Sequence, residues 1–369
     1  MHPLEVWQGW TREVGRLVGG MSIWQRRALA LFSLGMAAAQ DRQSARVATV
    51  VPGEATAPST TRRFERLLAN PRLDVRAVRA AIGAAVLEQA RGQTLWLALD
   101  ETPRGHAEHG PRLVTLALRL VYRERAFPLA WVCYRPGAAP APLPDLVTAV
   151  LTEVAALVPT DTRVVLLTDR GLSWPAVADH CRRLGWSFLL RVQGQTRIQT
   201  ADGWSGPLQE LAPRPGTRWH GRGCVFKDAG WRGVDVVAVW HRGTTQPWLL
   251  VTDLAPTRVR WAHYRHRMDQ EQSFRDDKSH GFDRDPSRVR DPIHMERLLL
   301  VLQLAVGFVL AQGSFVLQHG CRHLLERPDR RPLSIFTLGL RWFARLPTHA
   351  GSLSPHLRLV FPNAHQGVG

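Results

Sequence analysis

The sequence predicts an α/β fold: a mixed sheet flanked by helices, with a β-strand insertion and an N-terminal helical unit. Residues 1–90 carry apolar positions at helical spacing, which predicts helices. Residues 91–194 alternate short apolar runs with helical segments, a pattern typical of a sheet covered by helices. Residues 195–258 contain short alternating apolar runs among Gly, Trp and Thr, which predicts antiparallel strands.

The N-terminal unit is rich in arginine. The segment Thr61–Arg66 holds several, and others follow at positions 72, 76 and 79. Arginines exposed on a small helical unit suit contact with phosphates, and an ordinary solvated helix face explains them equally well. Residues 51–59 are predicted to form a loop because they are rich in Pro, Gly and Thr.

The predicted sheet begins with the apolar run 95–99, which ends at Asp100. Two further strands, a helix, a strand, a helix and a last strand are predicted at 113–122, 126–134, 143–158, 164–167, 175–184 and 187–192. This order is that of a ribonuclease H-like domain. We therefore assign 91–194 and 259–320 to that domain, with 195–258 as a β insertion within it.

The C-terminal third is predicted to be helical. A long polar helix is expected over 261–280, an apolar helix from residue 295, and a helical segment with a tail over 321–369. The apolar stretch 298–317 contains Gln303 and Gln312. A buried core helix explains it better than a membrane span, so no membrane is expected.

The charge balance points to a polyanionic partner. The chain has 369 residues, with 48 Lys and Arg against 31 Asp and Glu, and a net charge of +17. Nucleic acid is the commonest partner of so basic a protein. The alternative is a compositional drift toward arginine, since the chain has only two lysines, Lys227 and Lys278. Four scattered cysteines and no secretory signal in residues 1–18 suggest reduced thiols and a cytoplasmic location.

Two aspartates follow predicted buried strands. Asp100 and Asp169 are each expected just past a strand end, where ligands bind in open α/β sheets. A single such Asp is more often a helix cap or a turn former. Two on neighbouring strand ends can converge on one divalent cation, because hard ions prefer carboxylate oxygens.

A stripe of charged residues runs along the predicted polar helix. Its members are separated by three or four residues and therefore share one face: Tyr264, Arg267, Glu271, Phe274 and Lys278. Such a stripe is not a core face, because burying three unpaired charges is too costly. A surface ion pair between Arg267 and Glu271 is one explanation. The other is a phosphodiester site, in which Glu271 joins the two aspartates while Arg267, Lys278 and the Tyr264 hydroxyl bind phosphate oxygens.

These residues resemble the Y-R-E-K signature of the IS-four family of bacterial DDE transposases. The spacing Tyr264-x-x-Arg267-x-x-x-Glu271-x-x-x-x-x-x-Lys278 is intact. The resemblance also takes in the runs around Asp100 and Asp169, and it covers about residues 90–310.

The resemblance implies metal-dependent cleavage at insertion-sequence ends and strand transfer into target DNA. Asp100, Asp169 and Glu271 would be the catalytic, metal-binding triad for two Mg²⁺ ions, with Mn²⁺ able to substitute. It also implies that Trp248 stacks on a flipped base and that Arg191 lies nearby, although a core role is nearly as good an explanation for Trp248. The expected partner is double-stranded DNA, both the terminal inverted repeats and the target, bound by a homodimer.

Two alternatives remain open. One is a non-catalytic DNA-binding relative, either a decayed transposase or a transposition inhibitor. The other is a ribonuclease H-like nuclease that does not transfer strands.

Overall fold

The computed structural model describes residues 3–104, 113–123, 125–254, 264, 289–345 and 353–361. In the described chain, five α-helices precede the first strand of the sheet. The N-terminal helices are α1 (Pro3–Leu17), α2 (Ile23–Ala39), α3 (Ser44–Ala48), α4 (Ala57–Ala69) and α5 (Val75–Glu88). Local sequence sets their starts: the Ser22 hydroxyl accepts from the Gln25 N–H in a capping box, and the Asp74 carboxylate accepts from the Ala77 N–H.

Ten strands in the described chain form one sheet, in the order β3-β2-β1-β4-β5-β10-β9-β8-β6-β7. The first five in sequence are β1 (Thr94–Arg104), β2 (Leu113–Tyr122), β3 (Arg125–Tyr134), β4 (Arg163–Thr168) and β5 (Ser187–Arg191). The β1–β4 and β4–β5 pairs are parallel, whereas β1–β2 and β2–β3 are antiparallel. The mixed α/β, ribonuclease H-like fold predicted from the sequence is confirmed.

The strands of the predicted insertion extend this same sheet. They are β6 (Arg197–Thr200), β7 (Ser205–Pro207), β8 (Arg218–Val225), β9 (Arg232–Val239) and β10 (Trp248–Thr252). All of their pairings are antiparallel, and β10 joins them to β5.

Helices cover one face of the sheet. These are α5, α6 (Leu143–Ala155), α7 (Pro175–Arg183) and α8 (Pro292–Gln318), with α9 (Ile335–Ala344) packed on α8. Within the described chain, α8 is long and apolar enough to cross a membrane, but 94% of its apolar window is buried inside the protein. The core-helix prediction for this stretch therefore agrees with its packing.

The α8–α9 contact depends on glycine. A Cβ atom at Gly339 would overlap the Val309 carbonyl oxygen, and one at Gly313 would overlap the Ile335 carbonyl oxygen. The two helix backbones therefore approach more closely than any larger residue allows.

Arg79 does not have the exposed position that phosphate contact requires. Arg79 is 5% exposed, and its guanidinium binds both Glu153 oxygens, at 2.7 and 2.8 Å. It also donates to the Trp131 carbonyl. The side chain joins α5 to α6 and β3, a partnership that helical spacing alone does not reveal.

A C-terminal segment, residues 353–361, is bound to α1 through Glu13. Glu13 is 2% exposed, and its carboxylate accepts from the Leu357 N–H at 3.0 Å and from His356 Nδ1 at 3.1 Å. Burial alone would raise the pKa of Glu13, but hydrogen bonds from Arg16, His356 and Leu357 outweigh it and lower the pKa to about 2.

Candidate active site

Asp100, in β1, and Asp169, directly after β4, lie at neighbouring positions of two adjacent parallel strands. Leu99 of β1 pairs with Thr168 of β4, and each aspartate is the next residue of its chain. Because neighbouring strands are about 4.8 Å apart, the register brings the two aspartates side by side. Asp100 is not past the strand end, as predicted, but within β1, where it pairs with Ala117 of β2. The prediction was wrong because β2 holds β1 in extended form as far as Arg104.

Asp169 follows β4 directly and begins a tight turn. One carboxylate oxygen, Oδ1, accepts from the Gly171 N–H at 2.9 Å and from the Leu172 N–H at 3.3 Å. The Ser173 hydroxyl closes the turn by donating to the Asp169 carbonyl. The turn-forming role considered for this residue is therefore real, and it fixes the carboxylate at the end of the strand.

Asp100 has a hydroxyl partner that the sequence analysis missed. Thr102 donates to Asp100 Oδ2 at 2.8 Å, since residues two apart in a strand point to the same face. Glu101 points to the opposite face, where it accepts from the Tyr134 hydroxyl. Burial and this carboxylate raise the pKa of Tyr134 well above its usual range. The period of two was available in the sequence and could have excluded Glu101 from the Asp100 face.

The burial pattern separates the two faces of the sheet. Leu97, Leu99 and Leu166 belong to the large core under the helices, whereas Ala98 and Leu167 belong to a second, smaller apolar cluster. Asp100 and Asp169 lie two residues beyond Ala98 and Leu167, so they continue the second face. The candidate site is therefore on the sheet face opposite the described helices.

Tyr264 packs on that second face. Its ring is 1% exposed, within the small cluster, and its hydroxyl donates to the Thr168 carbonyl at 3.0 Å. The hydroxyl therefore bonds the residue just before Asp169, not the phosphate that the sequence analysis expected. This contact also brings the chain at residue 264 to the candidate site. Arg267, Glu271 and Lys278 lie outside the described residues.

Trp248 and Arg191 occupy the same face. Trp248 is half-buried, and its ring meets that of Tyr264 edge-on, with the centroids 5.4 Å apart. Arg191 ends β5 and pairs with Leu250, a member of the small cluster. Cross-strand partners share a face, so Arg191 also belongs with this group. The structure thus places five predicted site residues on one face: Asp100, Asp169, Arg191, Trp248 and Tyr264.

Carboxylates are suitable donors for a hard cation, and the described part of the site holds two of them. Among the residues that the structure describes, no group of three or more His, Cys, Asp or Glu side chains could hold a metal ion. A site made of Asp100 and Asp169 needs a further donor, and Glu271, the predicted one, is not among the described residues. The chemistry of the two aspartates fits Mg²⁺ or Mn²⁺.

Comparison with known proteins supports the class of protein that this site defines. Residues 144–308 match the family model described as a transposase DDE domain. The match covers less than half of the chain and begins after Asp100, but it includes Asp169 and the whole 264–278 stripe. A comparison with curated proteins finds no match. The family match supports a transposase-type function with DNA as the partner.

Proposed function

We propose that this protein is an insertion-sequence transposase of the IS-four family, which cleaves DNA at the element's ends and joins those ends to target DNA. The observation that supports it best is the register of β1 and β4, which aligns Asp100 with Asp169. The family match over residues 144–308 supports the same class of enzyme. The proposed location is the bacterial cytoplasm, at the nucleoid.

The proposed catalytic triad is Asp100, Asp169 and Glu271. Mg²⁺ held by these carboxylates would stabilise the charge that develops on the phosphodiester and make the attacking oxygen more acidic. The Thr102 hydroxyl fixes one Asp100 oxygen, and the turn N–H groups fix one Asp169 oxygen. Both carboxylates are therefore oriented before any ligand binds, which reduces the entropy lost on reaching the reactive geometry.

The remaining site residues are proposed to bind DNA. Arg267 and Lys278 would bind phosphate oxygens near the cleaved end, and Arg191 would lie near the extruded base. The half-buried Trp248 ring, on the same sheet face as the aspartates, would stack on an extruded base. For Tyr264 we propose a supporting role in place of the phosphate contact expected from the sequence, because its hydroxyl donates to the Thr168 carbonyl beside Asp169. A homodimer bridging two DNA ends is part of the proposal.

The experiment compares Asp100→Asn, Asp169→Asn and Glu271→Gln with the wild-type protein. Labelled duplexes that carry the element's terminal inverted repeat are incubated with Mg²⁺, Mn²⁺ or Ca²⁺, and binding, cleavage and joining are measured separately. Each variant should bind the duplex but not cleave it, and Ca²⁺ should support binding alone.

Asp161→Asn is the matched control, because Asp161 is an exposed aspartate that pairs with Arg91 at 3.2 Å and lies outside the site. It should cleave like the wild type. Wild-type nicking by any triad variant removes that residue from the triad. Binding without cleavage by the wild-type protein supports the non-catalytic alternative, and cleavage without joining supports a simple nuclease.

A further inference from the structure

A cleft of about 1000 Å³ lies among the N-terminal helices. Its walls come from α1, α2 and α4, with Pro52 from the loop between α3 and α4. Buried Ala28 and Leu67 and half-buried Leu31 contribute its apolar part. No residue of the candidate active site lines it, so the cleft is a separate site.

The charged residues that line the cleft are all arginines. Its lining contains no Asp or Glu and includes Arg12, Arg27, Arg63 and Arg66. All four are exposed, and none of them forms an ion pair with a carboxylate of the described chain. Arg16, on α1 outside the cleft, instead pairs with Glu13 at 2.8 Å. Four arginines that line one cleft without an acidic residue among the lining suit the phosphates of a polyanion.

Aromatic rings accompany these arginines. Trp24 is 74% exposed, far more than the other exposed tryptophans of the described chain, Trp204 and Trp231. The Arg27 guanidinium lies 5.8 Å from the centre of its ring. Trp7, which is half-buried, lines the cleft from α1. An indole this exposed adds little to the packing of its own helix, and its free face is available to stack on a base.

We propose that this cleft binds single-stranded DNA, with phosphates on the four arginines and a base stacked on Trp24. The proposal rests on the proposed function, because that function supplies DNA as the polyanion. Grooves that combine basic side chains with exposed aromatic rings are how proteins hold single strands. A base-paired duplex presents only base edges in its grooves, so the Trp24 ring has no base face to meet there. The cleft therefore discriminates single strands from duplex DNA.

The test measures binding of the full-length protein to a labelled oligonucleotide by fluorescence anisotropy. The same sequence is offered as single-stranded DNA, as duplex DNA and as single-stranded RNA, over a range of salt concentrations. Trp24→Ala should weaken binding of single-stranded DNA by at least about fivefold, because stacking of one base is lost. Trp24→Phe keeps an aromatic face and should restore most of the affinity. Duplex binding should change little in either variant.

The arginines are tested through the salt dependence. The double variant Arg63→Ala/Arg66→Ala should flatten the log–log salt slope for single-stranded DNA by about 1.4, since each lost phosphate contact removes about 0.7. Arg62→Ala is the matched control, because Arg62 is exposed on α4 but does not line the cleft. Its slope should equal that of the wild type. Thermal melting of each variant checks that the fold is intact.

Three results would overturn the proposal: equal losses for single-stranded and duplex DNA in Trp24→Ala, tighter binding of RNA than of DNA, or a wild-type slope in the double arginine variant. These results leave the proposed function untouched, because they do not measure cleavage. Conversely, Asp100→Asn should bind single-stranded DNA like the wild type while failing to cleave, so the two proposals fail separately.

Discussion

The Tyr264 hydroxyl has two candidate roles: it supports the backbone beside Asp169, or it contacts DNA directly. Removing the hydroxyl distinguishes them. In Tyr264→Phe the ring remains in its apolar cluster, and only the hydrogen bond to the Thr168 carbonyl is removed. That bond is 3.0 Å long and buried, and the ring that makes it is 1% exposed. Removing one partner of a buried hydrogen bond costs about 1–3 kcal/mol. We therefore expect the free energy of unfolding to fall by that amount.

The same change should slow DNA cleavage. Thr168 immediately precedes Asp169, so a looser Thr168 carbonyl lets the carboxylate move from its aligned position. A displacement of about 1 Å in a catalytic group can lower the rate by up to about a hundredfold. Urea unfolding measures the stability, and single-turnover cleavage of end duplexes in Mg²⁺ measures the rate.

Tyr122→Phe is the matched control. Tyr122 is 2% exposed, and its hydroxyl bonds Ser314 at 2.8 Å and the Val360 carbonyl at 3.0 Å, outside the candidate site. It should lose comparable stability and keep its cleavage rate. The reasoning is refuted if Tyr264→Phe keeps wild-type stability yet loses cleavage, because the hydroxyl then acts on DNA. Lost stability with full cleavage would instead leave Tyr264 with a purely structural role.

Three predictions concern the stability of the fold. Arg79→Ala removes the bidentate partner of half-buried Glu153, which keeps exposed Arg76 at 3.1 Å, and should cost about 1.5–3 kcal/mol by urea unfolding; a loss below about 1 kcal/mol would contradict this. Gly339→Ala places a Cβ atom on a carbonyl oxygen of α8 and should lower the free energy of unfolding by about 1–3 kcal/mol or more. The control Gly83→Ala meets nothing closer than 3.4 Å and should be neutral or stabilising. The pKa of Glu13 is lowered from 4.5 to about 2, so ionised Glu13 stabilises the folded state by about 3 kcal/mol. This stabilisation is complete above pH 4.5 and is lost as the pH falls to 2. An acid-unfolding curve of Glu13→Gln that is as steep as the wild-type curve would show that another group titrates.

The candidate site shows what local patterns can and cannot predict. The apolar runs before Asp100 and Asp169 correctly predict the two strands that carry these residues, because a strand buried on both faces is apolar throughout. β1 extends to Arg104, beyond the end that its apolar run predicted. The length of this strand depends on its pairing with β2, which the pattern within β1 does not reveal. The Thr102 contact follows from the period of two and was open to prediction.

Two polar side chains bind partners that lie far from them in the sequence, and local patterns did not predict these contacts. Arg79 was grouped with exposed arginines by its spacing on a helix, but α6 brings Glu153 to it from 74 residues away. The Tyr264 hydroxyl was assigned to phosphate from its place in the charged stripe, but 96 residues separate it from the carbonyl that it binds. Neither contact leaves a periodic signal, because each depends on how elements dock.

The sequence by itself determined the class of fold, the order of its strands and helices, and the two aspartates of the candidate site. Those features follow from periodicities of two and 3.6 residues, which any segment carries within itself. Only the tertiary structure decided that Asp100, Asp169, Arg191, Trp248 and Tyr264 share one sheet face, and that arginines from α1, α2 and α4 surround one cleft. Those groupings join residues from separate elements, so they exist only once the elements have packed against one another.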